Sequence, residues 1–176
     1  MLNTMSETVI VAALKRGNLR RAVELILDTY QEEVYGYCAS LVGSARSGPV
    51  YQQVLTVAME ELPTFKGVVS IRAWLYGIAR RVVIQFQNAL ADSVPSFPDT
   101  ADELPGLRPT DVELEACFER MDSAVREILQ LALWHGLLLP EVAHITRREP
   151  AEARRLAAQG LSTLSGELHR CSSTPS

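Results

Sequence analysis

Leu62-Pro63-Thr64-Phe65-Lys66-Gly67-Val68-Val69-Ser70-Ile71-Arg72-Ala73-Trp74-Leu75-Tyr76-Gly77-Ile78-Ala79-Arg80-Arg81 is the stretch on which the reading of this chain turns. Proline lacks an amide hydrogen and clashes with the preceding turn, so Pro63 stops any helix arriving from its N-terminal side. A short loop containing Gly67 follows. Ser70 is a suitable N-cap, because its hydroxyl can accept from an amide of the next turn. A helix is therefore predicted from Ser70 to about Ala89, with aromatic and basic side chains carried together. Ile71, Leu75 and Ile78 define its apolar face, and Trp74 falls on that face.

Working outward, the pattern is helical almost throughout. Thr8 to Lys15 reads as a short helix ending at Gly17 and Asn18. A second is predicted from Asn18 to Tyr30, with Leu19, Val23, Ile26 and Leu27 on one face. A third covers Glu32 to Leu41, where Val34, Tyr37, Cys38 and Leu41 keep the i, i+3, i+4, i+7 spacing of a single buried stripe. Gly43 ends it. Ser44 to Gly48 reads as a turn, and Pro49 suits a first helical position. The helix from Pro49 to Leu62 should bury Val50, Val54, Val57 and Ala58.

Helix signals vanish between Asp92 and Pro109. Pro95, Pro98, Pro105 and Pro109 alternate there with Asp92, Asp99, Asp102 and Glu103, the composition of an extended acidic linker. Helical patterning resumes near Asp111, with a helix from Glu113 to Arg120. Asp122 caps a helix from Ser123 to Trp134, which Gly136 ends. A short helix, Pro140 to Ile145, is followed by Thr146-Arg147-Arg148-Glu149 and then by a longer helix from Pro150 to about Leu168. Short helix, tight turn and longer helix make a helix-turn-helix. The predicted fold class is all-α: a helical module at 1–90, a linker at 91–110, a helix-turn-helix module at 111–170 and a polar tail at 171–176.

The chain has 176 residues and a 47% apolar share, enough for packed cores. Met1 to Ala13 lacks the positive start and cleavage site of a signal peptide, and no apolar run reaches membrane-spanning length, so a cytoplasmic protein without a membrane partner is expected. Cys38, Cys117 and Cys171 lie far apart. Neither they nor His135, His144 and His169 show metal-ligand spacing, so no metal and no cofactor are expected. Net charge is −4, unevenly spread. Lys15 to Asn88 holds nine basic and six acidic residues, and Ala89 to Arg120 two and eight. Met121 to Arg170 is balanced at six and six, so only the first module leans towards a polyanion partner. No paired carboxylates in a defined site, no Gly-rich phosphate loop leading to Lys-Ser/Thr and no nucleophile–base set occur. An enzyme with a small-molecule substrate is therefore not expected.

Over about Ala22 to Leu168 the chain resembles the extracytoplasmic-function (ECF) sigma factors of bacterial RNA polymerase. The resemblance rests on Tyr30-Gln31-Glu32-Glu33-Val34-Tyr35-Gly36-Tyr37, on the Leu62-Pro63-Thr64-Phe65 stop and on Trp74-Leu75-Tyr76-Gly77-Ile78-Ala79-Arg80. In the second module it rests on Arg126-Glu127-Ile128-Leu129, Gly136-Leu137 and Pro140-Glu141-Val142-Ala143. It implies a region 2-like module, a region 4-like module and three partners: core RNA polymerase, promoter DNA and an anti-sigma factor. Polymerase docking would fall on the helix from Pro49 to Leu62, through Val50, Gln52, Gln53 and Val54. The −10 DNA would meet Lys66, Arg72, Arg80 and Arg81 at phosphates, with Trp74 or Tyr76 stacking on an unpaired base; core packing is the competing reading of Trp74. The −35 DNA would meet Arg147, Arg148, Arg154 and Arg155, for which a solvated helix face is the bland alternative.

Certain positions depart from that pattern. Pro49 and Gln53 stand where the resemblance implies Asp and Glu, which turns charge-assisted contacts into neutral ones weaker by about 1–2 kcal/mol each. Val68-Val69-Ser70 replaces an acidic-and-serine loop, and valines offer no polar group to a flipped base. Gly160 interrupts the last helix at about 1 kcal/mol of propensity. The run Leu41-Val42-Gly43-Ser44-Ala45-Arg46-Ser47-Gly48-Pro49-Val50-Tyr51 is also similar to the sigma-like domain of general-stress response adaptors. Those proteins sequester an anti-sigma factor and do not initiate transcription.

Overall fold

A computed structural model describes residues 2–91 and 116–172, with side chains described over 7–90 and 116–166. The chain is all-α and divides into two compact units, Met1–Pro95 and Ser96–Ser176. No strand occurs among the described residues.

The described residues of the first unit form four helices: α1 (Leu2–Lys15), α2 (Leu19–Val42), α3 (Ser44–Glu61) and α4 (Ile71–Ala91), with a 3₁₀ turn at Leu62–Thr64. The two helices expected either side of Gln31 are one. Ala22, Ile26, Tyr30, Val34, Tyr37 and Cys38 form one unbroken buried stripe along α2; Gly36 lies on the exposed side without breaking the helix, which Gly43 ends. Asn18 caps its start, its Oδ1 accepting from the Arg21 amide at 3.1 Å.

The turn expected at Ser44 to Gly48 is helical, and α3 carries Pro49 inside it. Only the bond that a residue-49 amide would give the Ala45 carbonyl is lost, and the ring faces solvent. The buried Ser47 hydroxyl stabilises this first turn. It donates to the Ser44 carbonyl at 2.8 Å and lies 2.9 Å from the Tyr35 hydroxyl. Tyr35 in turn meets Tyr51 edge to face at 5.6 Å.

The core of the unit lies where α2, α3 and α4 meet, filled by Tyr30, Tyr37, Val50, Val54, Ile71, Leu75, Tyr76 and Val83. Each large apolar side chain removed from water there contributes about 1.5–3 kcal/mol. Ser70 caps α4 as its sequence predicts, Oγ accepting from the Ala73 amide at 3.0 Å. A second acceptor comes from sixty-four residues away: Glu7 Oε1 takes the Ile71 amide at 2.6 Å, which ties α1 to the start of α4. A carboxylate is well placed there, against the positive end of the helix dipole.

The second unit contains a helical turn at 116–119, α5 (Ser123–Leu129), a π-helical segment (Gln130–Trp134), α6 (Leu139–Thr146) and α7 (Pro150–Ser172). Asp122 caps α5 through the Ala124 amide at 2.9 Å. The helix expected to run evenly to Trp134 widens over its last five residues, with the His135 amide reaching the Gln130 carbonyl at 3.2 Å. Gly136 then turns the chain at φ 59°. The Leu138 amide donates to Glu141 Oε2 at 3.1 Å, closing the entry to α6.

α6 and α7 form the bihelical corner read from the sequence. Arg147 ends α6 in the left-handed region, and the Arg148 amide reaches back to the Ala143 carbonyl at 2.9 Å. α7 buries Ala153, Leu156, Ala157, Gly160 and Leu164 and continues to Ser172, so Cys171 and Ser172 of the expected tail are helical. Gly160 is a point of close approach. A Cβ there would sit 2.5 Å from Leu129 Cδ1 and 2.7 Å from Val125 Cγ1. The expected linker beyond Ala91 and the start of the helix expected at Glu113 lie outside the described residues.

Candidate nucleic-acid and protein interface

The first unit's candidate side chains sit on α4 and the segment before it. Arg72 makes a two-pronged pair with Glu33 of α2, Nε to Oε1 at 2.8 Å and a terminal nitrogen to Oε2 at 2.9 Å. Its guanidinium also lies 5.6 Å from the centroid of the Tyr76 ring, and its side chain is only 17% exposed. Arg81 pairs with Glu61 at the end of α3 at 2.5 Å. Both arginines thus fasten α4 to its neighbours and have their charge balanced internally. Arg80 is half-buried, and Lys66 is exposed in the loop with no ion pair among the described residues.

Tyr76, expected as a stacking platform, is fully buried, with the Tyr37 ring 4.9 Å away. Burial pushes its hydroxyl pKa upward, the Glu33 charge adds to this and Arg72 partly opposes it. The side chain is part of the core because it falls on the face of α4 turned towards α2. Trp74 is half-buried, leaning on Phe65 at 5.2 Å and lining an apolar cavity of about 50 Å³ with Val23, Leu27, Leu55 and Met59. Packing accounts for much of its surface.

On α3, Val50 and Val54 are buried at 1% and 0% exposure, so these two expected docking residues point into the core. The i, i+4 spacing that makes them apolar neighbours also turns them inward. Gln52 and Gln53 are exposed. Glu33, Glu61 and Glu7 went unrecognised as partners, because their contacts span 39, 20 and 64 residues and leave no local spacing signal.

In the second unit, Arg147 is exposed at the corner and Arg154 and Arg155 are exposed on α7, none of them ion-paired with another described residue. Arg148 is half-buried and gives a terminal nitrogen to Glu152 Oε1 at 2.6 Å. Beyond the arginines, Ala158 and Ser162 lie on the exposed part of α7 and offer little to read base edges. Leu133, Trp134 and Leu138 are exposed around the π-helical segment, with the Trp134 ring 4.7 Å from Phe118.

Among the described residues no group of His, Cys, Asp and Glu could hold a metal ion, and no helix is long and apolar enough to cross a membrane. No protein-family model and no curated protein matches the sequence. Solved structures do. The chain is similar to CnrH, solved in complex with the cytosolic domain of CnrY, with TM-score 0.66 and 18% identity over 94% of this chain and 98% of that one. It is also similar to the sigma factor RpoE from Bartonella quintana, solved with the anti-sigma factor NepR, with TM-score 0.63 and 15% identity over 83% and 96%. The fold is that of an ECF-type sigma factor. At 18% and 15% identity the likeness is one of fold.

Proposed function

We propose that this chain is an ECF-type sigma factor that directs core RNA polymerase to −10/−35 promoter DNA and is held in reserve by an anti-sigma factor. The observation that carries the reading is the fold shared over 83% of this chain with a sigma factor solved beside its anti-sigma factor. The exposed Arg147, Arg154 and Arg155 at the helix-turn-helix supply phosphate contacts, and Lys66 supplies one beside the loop at Gly67. Gln52 and Gln53 offer neutral hydrogen bonds to the polymerase clamp. Run-off transcription with reconstituted core polymerase tests this: promoter-specific transcripts support it, and none above core enzyme alone rejects it.

One set of observations favours a second reading, a sigma mimic that binds an anti-sigma factor and leaves polymerase untouched. Arg72, Arg81 and Arg148 each have their charge matched by a glutamate of the same unit. That removes three of the arginines expected to hold DNA from the free positive surface. A chain that binds an anti-sigma protein tightly while core polymerase ignores it selects the mimic.

A further inference from the structure

A groove of about 820 Å³ runs between α1 and the segment from Leu62 to Val69. One wall is a helical stripe of α1, with Thr8, Val11, Ala12 and Lys15 at i, i+3, i+4, i+7 spacing. α1 is thus apolar on two sides: Ile10 and Ala13 are buried in the unit, and Val11 and Ala12 face the groove. A helix with a second apolar stripe on which no described residue of the unit is packed presents surface that a partner can cover. The opposite wall carries Leu62, Phe65 and Val69.

The charges on the walls select the partner. Glu7 also lines the groove, but its carboxylate is held by the Ile71 amide. Lys15 stands on one wall and Lys66 on the other, both exposed and neither ion-paired with another described residue. On a chain of net charge −4, this apolar channel has a positive edge on each side. We infer that the groove receives an amphipathic helix of a protein partner, with its apolar stripe on Val11, Phe65 and Val69 and carboxylates along its edges meeting Lys15 and Lys66. This is helix-in-groove recognition with charge fixing the register. The inference rests on the reading above for the existence of a protein partner, and it assigns that partner a surface.

A single nucleic-acid strand fits the groove less well. Strand-binding channels use successive exposed rings for stacking. The single ring on these walls, Phe65, is already engaged by Trp74.

The test uses the full chain and two fluorescent synthetic helical peptides with the same leucine stripe, one edged with glutamate and one with lysine, read by anisotropy. The glutamate-edged peptide binds the wild-type chain, and the lysine-edged peptide binds weakly. In the double variant Lys15→Glu, Lys66→Glu the glutamate-edged peptide loses about tenfold in affinity and the lysine-edged peptide gains. Val11→Asp weakens both. Unchanged helical circular dichroism confirms that these variants are folded. Binding indifferent to charge reversal, or absent, overturns the inference. So does displacement of the peptide by oligo-dT, which hands the groove to single-stranded DNA. Run-off transcription is scored separately: transcripts without charge-dependent peptide binding remove the groove and leave the sigma reading standing, and the converse result does the opposite.

Discussion

Glu33 holds Arg72 with both carboxylate oxygens, at 2.8 and 2.9 Å, and so binds the middle of α2 to the first turn of α4. The pair is partly shielded, the arginine side chain at 17% and the glutamate at 31% exposure. A guanidinium fork and a carboxylate in this geometry form the strong class of charge-assisted hydrogen bonds. The arginine that a sequence reading assigns to DNA is therefore occupied in holding the unit together.

Removing either partner leaves the other charge without its mate in a half-buried site. Arg72→Ala and Glu33→Ala should each destabilise the first unit by about 1–3 kcal/mol. The double variant should lose clearly less than the sum, with a coupling of about 1 kcal/mol in urea denaturation. Additive losses would show that the pair contributes nothing beyond its separate side chains.

Gly160 should not tolerate a methyl group. Its Cβ would meet Leu129 Cδ1 at 2.5 Å and Val125 Cγ1 at 2.7 Å, side chains that are 1% and 3% exposed. Gly160→Ala gains about 1 kcal/mol of helix propensity and loses about 1–3 to overpacking, so a net fall in the melting temperature is expected. Combining it with Leu129→Ala should cost less than the two changes added separately. A stabilised Gly160→Ala variant would mean that α5 and α7 are not in such close contact.

Arg147 occupies φ 54°, a region that costs a residue with a Cβ about 1 kcal/mol. Arg147→Gly should stabilise the second unit by up to that amount, read as a higher denaturation midpoint. If the side chain contacts a promoter phosphate, the same variant lowers the salt slope of DNA binding by about one. Stability gained with an unchanged slope would assign Arg147 to the corner alone.

The chain should lose stability on the alkaline side. Burial raises the Cys38 thiol from 9.0 to about 11. Between those values the unfolded chain has released the proton and the folded chain has kept it. The contribution is therefore full below about pH 9 and declines as pH rises towards 11. Tyr76 and Tyr51 are displaced the same way by burial and add to the fall above their ordinary range. Denaturation midpoints should drop across this window, and less steeply in Cys38→Ala; a midpoint independent of pH would refute the buried-thiol account.

Local signals were read well because their physics is local. Pro63, the Ser70 cap, the Asp122 cap and the corner before Pro150 each depend on a few neighbouring residues, and each stands where the spacing predicted. The misreadings come from weighing punctuation over burial. Gly48-Pro49 looks like the end of a turn, yet the buried Ser47 and the Tyr35–Tyr51 contact keep α3 helical through it. The break placed near Gln31 gave too little weight to a stripe that runs without interruption from Ala22 to Cys38. At the candidate interface, residue type was legible and occupation was not. Arginine suits phosphate and glutamate equally, and only the fold reveals that Glu33, Glu61 and Glu152 come within reach.

The wide turn at Gln130–Trp134 bears on how this chain is compared with others. Each i→i+5 bond accommodates one residue more than an α-helical turn, so positions after it are rotated by about 100° from where an unbroken helix would put them. Laid without a gap against a counterpart whose helix is regular, Leu133 and Trp134 would be matched to residues on the wrong side of it. A one-residue gap inside the helix, where alignment schemes penalise gaps most heavily, restores the correspondence.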